Sequence, residues 1–243
     1  MVKLKLKRDH AYRTKYLSSG VLFLATINII IQLAIYSFGL KKEWFLLFNM
    51  DKEMNIPTLY SSLMIVLCAF FIHIIAIKER EIRSNSLRRW LVLKWIFIFL
   101  AFDEALQIHE ALIISQLKPL VPPILEVIWV IPYGLFVIFS LIYFMPLIIK
   151  LPSKVRSLIL CSGFIYVSGA AGIEVIGNFL VRSSAIKLHG ISYGLITTFE
   201  ESMEMCGLIV FIHALLIYIL YYQKQKIKLN LQLASEHSNQ RTH

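Results

Sequence analysis

Charge is scarce in this chain. Only 16% of its 243 residues are Asp, Glu, Lys or Arg, 58% are hydrophobic, and the mean hydropathy is +0.69. A soluble domain of this size carries about a quarter charged residues, so a soluble fold is excluded. Cysteine is nearly absent. Cys68, Cys161 and Cys206 all fall in apolar runs, and none stands in a CxxC spacing. That excludes a disulfide framework and a zinc motif and leaves three small apolar packing residues. No internal repeat is visible, and no polar stretch is long enough for a second domain.

What the chain has instead is long apolar runs. They cover about Ser19–Leu40, Pro57–Ile77, Trp90–Ile113, Pro122–Ile149, Ser157–Val181 and Tyr193–Tyr222. Each can cross about 30 Å of hydrocarbon at about 1.5 Å per residue. The predicted fold is an all-α, polytopic transmembrane bundle of six spanning helices over residues 18–222. Residues 1–17 form a basic N-terminal segment, and residues 223–243 a polar tail expected to be disordered. The first run is too long for a signal peptide and no small-x-small site follows it, so it reads as an uncleaved signal anchor.

The net charge of +10 does not point to nucleic acid, because the positive residues sit in short segments beside the runs. Counted over alternating sides, eighteen Lys/Arg fall on the side of the two tails and six on the other. By the positive-inside rule both termini are cytoplasmic, and the basic segments meet anionic headgroups. Lys41 to Ile56 reads as a short amphipathic piece at the outer interface. Asn28 and Gln32, one turn apart, are placed to hydrogen-bond between helices. Trp44, Trp90, Trp129, Tyr221 and Tyr222 fit interfacial belts.

Ionisable side chains inside spans are costly and mark functional sites by default. Span three reads FDEALQIHE, with Asp103, Glu104, His109 and Glu110. Span four opens with Glu126. Span five carries Glu174 in SGAAGIEVIGN, and span six carries Glu200, Glu201 and Glu204 in FEESMEM. Counted from the outer ends, these acids lie between about 6 and 16 Å deep at about 1.5 Å per residue. Four helices therefore place carboxylates in one outer-leaflet layer. At about 100° per residue, Asp103, Gln107 and Glu110 share one arc with Glu104 flanking, and Glu200, Glu204 and Gly207 share another with Glu201 on its edge. His109 points roughly 120° away from Asp103 on an ideal helix and needs a frayed end or a π-bulge to join them. Ala170, Ala171, Gly177 and Asn178 surround Glu174 and let a neighbouring helix approach it.

So many carboxylates at one depth must share protons, bind a cation or meet water. No arginine lies inside a span to neutralise them. Oxygen ligands suit a divalent metal: Mg, Ca, Mn, Fe or Zn. The expected ligands are Asp103, Glu110, Glu174, Glu200 and Glu204. Glu104, His109 and Glu201 would be acid–base groups for a metal-dependent reaction on a lipid or other membrane-borne substrate. The same acids also suit a proton- or cation-coupled transporter. A third reading is an accessory subunit in which the acids only organise helix contacts.

FDEALQIHE, GIEVIGN and EESMEMCG together resemble a group of uncharacterised bacterial multi-pass inner-membrane proteins, over roughly residues 90–220. That resemblance implies a bacterial inner-membrane location and no activity. The chain lacks the paired-histidine HxxxH element of the alkaline ceramidase type of membrane hydrolase.

Overall fold

The computed structural model describes residues 2–50, 52, 54–106, 108, 130–188 and 190–240. Among these residues every regular element is helical. Helix α1 covers Val2–Phe38 and is followed by a 3-10 turn at Lys42–Phe48. Helix α2 is Ile56–Glu81, α3 is Leu87–Leu106 and α4 is Val130–Lys150. Helix α5 is Ser153–Arg182, with a π-helical turn at Ser168–Ile173. Helix α6 runs Ile191–Gln240.

Helices dominate because the apolar sequence leaves each backbone N–H and C=O to pair within its own segment. Their ends are written locally. The Asn55 side chain accepts from the Thr58 N–H at the start of α2, with proline in the first turn, a favourable cap. Helix α1 stops at Gly39, whose φ of +67° glycine adopts without cost. There the Gly39 N–H bonds Ile35 O, the single bond of an αL cap, and the Leu40 N–H bonds Ala34 O, both at 3.1 Å. Arg83 and Ser184, also at positive φ, end α2 and α5. Residues 2–17 and 223–240 contain neither glycine nor proline, and α1 and α6 continue through them as helix. The segment expected to be a disordered tail is thus the end of α6 as far as Gln240.

Five of these helices are long and apolar enough to cross a membrane: Thr14–Phe38, α2, α4, α5 and Ile191–Tyr221. The chain is an integral membrane protein. Helix α3 is not among the five, because Arg88, Arg89, Lys94, Asp103 and Glu104 fall within its 20 residues. The distal part of the expected third span, and the start of the fourth, lie outside the described residues.

Helix α6 is the hub, packing against α1, α2 and α5, while α2 also carries α3. The core joins Ile65, Cys68, Ile72 and Ile75 of α2 to Met205, Ile212 and Leu215 of α6, and Trp90 of α3 enters it. Trp90 is 1% exposed and stacks on Tyr218 with ring centroids 5.5 Å apart, so it is a core residue and not a belt residue. The outward surface is apolar: Phe23, Phe139 and Phe164 are all exposed, as hydrocarbon contact requires.

Helices α3 and α6 meet through large side chains at heptad steps. Trp90 stacks on Tyr218, and seven residues further Phe97 stacks on Phe211 at 4.9 Å and 7°. Seven residues is nearly two whole turns, so a heptad stripe stays on one face. The next step brings Glu104 to Glu204.

Candidate intramembrane carboxylate site

The site is built where that stripe ends. Glu104 of α3 and Glu201 and Glu200 of α6 all lie within electrostatic reach of Glu204. Glu200 in turn interacts with Glu174 of α5. The carboxylates of Glu104, Glu174, Glu200, Glu201 and Glu204 therefore form one connected set drawn from three helices. All five residues are half-buried.

Helix α5 comes against the acidic face of α6 because both supply glycine. A Cβ on Gly207 would stand 2.9 Å from the Tyr166 nitrogen and 3.0 Å from Ser162 O. A Cβ on Gly169 would stand 3.1 Å from Glu200 O and 3.2 Å from Glu204 Cγ. This approach carries Tyr166 into the site. Its phenol is within hydrogen-bonding reach of Glu204 and feels Glu104 and Glu201 as well. The phenol keeps its proton and donates it toward the Glu204 carboxyl. The π-helical turn starts two residues after Tyr166 and ends at Ile173, immediately before Glu174. Its extra residue per turn shifts the register between the two, and both Tyr166 and Glu174 reach α6. On the far side of Glu174, Gly177 is buried against Ile196, as the small-residue pattern anticipates.

Asp103 goes elsewhere. It is 5% exposed and pairs with the Tyr133 hydroxyl of α4. Of the two adjacent acids on α3, Glu104 faces α6 and Asp103 faces α4. His109, Glu110 and Glu126 lie outside the described residues. Among the described residues, no three His, Cys, Asp or Glu side chains are arranged to hold a metal ion.

Tyr166 and Tyr133 are the site residues that carboxylate counting passes over. The signal was available for Tyr166: it stands three residues before Gly169 in a span where small residues mark the helix contact.

A neutral polar knot lies next to the acids. Asn28 of α1 donates to Thr198 Oγ1 at 2.7 Å and accepts from the Met50 N–H at 3.0 Å. Gln32 donates to Asn49 Oδ1 at 3.0 Å. Asn28, Gln32 and Asn49 are all within 1% of full burial. The interhelical bond expected of Asn28 is thus present, while Gln32 bonds Asn49 in the α1–α2 connection and not another helix. It also draws the end of the 3-10 segment into the bundle: Leu46 and Leu47 stay exposed while Asn49 and Met50 are buried. Thr198, two residues before Glu200 on α6, is the point at which this knot ties α1 to α6.

Comparison with curated proteins and with solved structures gives no match. One family matches, over residues 16–219, a stretch that contains every described residue of the carboxylate set. The chain belongs to that family, described as a domain of unknown function, DUF8692.

Proposed function

We propose that the carboxylate set binds and exchanges a cation, a proton or a divalent metal ion, inside the membrane. The observation that carries this reading is the meeting of Glu104, Glu201 and Glu204 from two helices beside Tyr166 of a third. Several negative charges in a low-dielectric bundle repel one another and lose hydration, so a cation or shared protons must neutralise them. The Tyr166 hydroxyl orients Glu204, and the route from Glu174 through Glu200 to Glu204 gives a bound proton successive acceptors along α6. Proton- or cation-coupled transport of a small molecule follows from such a relay. The eighteen-to-six distribution of Lys and Arg supports six spans and cytoplasmic termini, and the resemblance of residues 90–220 supports a bacterial inner-membrane setting. In that orientation the site opens toward the outer leaflet.

A metal-dependent enzyme acting on a lipid or other membrane-borne substrate is the second reading. It is favoured by His109 and Glu110, which follow Asp103 and Glu104 in the same run and would supply the nitrogen and further oxygen ligands. On this reading Glu104 or Glu201 serves as general base.

One experiment separates these readings. Detergent-purified wild type, Glu204→Gln and His109→Ala proteins are assayed for bound metal by elemental mass spectrometry and for proton uptake after a pH jump. Stoichiometric metal lost in both variants makes this a metal site with His109 among its ligands, as the enzyme reading requires, and metal that survives His109→Ala removes that reading. Proton uptake lost in Glu204→Gln without bound metal selects the relay. Neither metal nor a Glu204-dependent proton sinks the cation-site proposal and leaves the acids as helix contacts of an accessory subunit.

A further inference from the structure

The end of the bundle opposite the carboxylates carries an unbalanced charge. The α2–α3 connection brings Lys78, Arg80, Arg83, Arg88 and Arg89, and the α4–α5 turn brings Lys150, Lys154 and Arg156. The packing puts these two segments together. The Arg89 guanidinium lies 5.9 Å over the Tyr143 ring of α4. Arg156 Nη1 donates to Ile149 O at 3.3 Å, folding α5 back on the end of α4. Trp90, next to Arg89, shares one core with Leu147, Ile148, Leu151 and Val155.

The nearby acids do not balance this. Glu79 is 2% exposed and accepts from the Tyr218 hydroxyl at 3.3 Å, and only Glu81 stands in solvent beside it. Among the described residues, none of the eight cations is paired with a carboxylate. Arg80, Arg88 and Lys154 are exposed, and the buried Arg89 Nε has no hydrogen-bond partner. The neighbouring faces of α4 are bare hydrocarbon surface, with Ile142 and Ile149 exposed.

We propose that this end, between the α2–α3 connection and the α4–α5 turn, is a binding site for an anionic phospholipid of the facing leaflet. The phosphate meets the Arg88, Arg89 and Lys154 group, and the acyl chains lie along α4. Simple topology signals need only lie near the surface. Here two basic segments meet at one end of the bundle, with the Arg89 guanidinium over the Tyr143 ring and the exposed apolar face of α4 beside it, and that combination fits a whole lipid and not a free anion. Each basic residue near an anionic surface contributes about 1 kcal/mol, about fivefold in affinity.

The test uses the full chain in mild detergent, titrated with phosphatidylglycerol, phosphatidylcholine or inorganic phosphate. Retained lipid is counted by native mass spectrometry, and the thermal midpoint is followed in parallel. The expected result is retention of phosphatidylglycerol with a raised midpoint, and little effect of phosphatidylcholine or phosphate. The triple variant Arg80→Gln/Arg88→Gln/Lys154→Gln alters exposed side chains only and should weaken retention at least tenfold. The control Lys41→Gln/Lys52→Gln/Lys187→Gln removes the same charge from exposed positions elsewhere and should leave retention unchanged. Equal retention of both lipids, equal loss in both triple variants, or a phosphate effect matching that of the lipid would overturn the proposal.

Discussion

Gly207 shows how much one missing methyl group decides. With Tyr166 N at 2.9 Å and Ser162 O at 3.0 Å from where its Cβ would be, backbone itself blocks any side chain. Gly207→Ala must push α5 away from α6, and overpacking of this kind costs about 1–3 kcal/mol. The thermal midpoint of the purified protein should fall, and Tyr166 should lose its place beside Glu204. Gly163→Ala is the control: nothing stands within 4 Å of its Cβ, so its midpoint should hold or rise slightly. An unchanged midpoint in Gly207→Ala would mean that the helices are not in this contact. At this scale the sequence was partly legible. The acids themselves were visible because ionisable groups are rare in apolar runs. Which of Asp103 and Glu104 faces α6 was not, because adjacent residues differ by about 100° and only the packing of α3 sets its rotation.

Helix α3 and the α1–α6 contact illustrate the next scale. The heptad stripe Trp90, Phe97, Glu104 meets Tyr218, Phe211, Glu204 in antiparallel order. The spacing is present in the sequence, but it becomes a contact only once the two helices are known to be neighbours. The Asn28–Thr198 hydrogen bond joins α1 to α6 beside the site. Such interhelical bonds in membranes average about 0.6 kcal/mol, with a maximum near 1.7. A double-mutant cycle of Asn28→Ala and Thr198→Ala should return a coupling in that range. Asn28→Ala alone should cost more, about 1–3 kcal/mol, because it also strips the buried Met50 N–H of its acceptor. A coupling of zero would show that α1 does not dock on α6 through this pair.

The whole molecule poses the question of sidedness. Five described helices satisfy length and composition for crossing, and the position of α3 is decided by how its charges are accommodated. Single cysteines at Asn85 and Ser184, in a background lacking Cys68, Cys161 and Cys206, report on it directly. Both sites are exposed turns at opposite ends of the bundle. In intact cells a membrane-impermeant maleimide should label Ser184→Cys within minutes and Asn85→Cys only after permeabilisation. The reverse pattern would invert the orientation, and labelling of both from outside would remove the six-span topology.

Composition and periodicity alone determined that this chain is helical and membrane-embedded, because hydrocarbon leaves the backbone no partner but itself over runs of this length. They also set the acids of different runs at similar distances from the run ends, since rise per residue is constant along a helix. The tertiary structure decided what those acids meet. Glu104 turns to Glu204, Asp103 to Tyr133, and Tyr166 enters the set, because two glycines and a π-helical turn let α5 lie against α6. Rotation of a helix about its axis is set by side-chain fit with its neighbours, and no single segment contains that information.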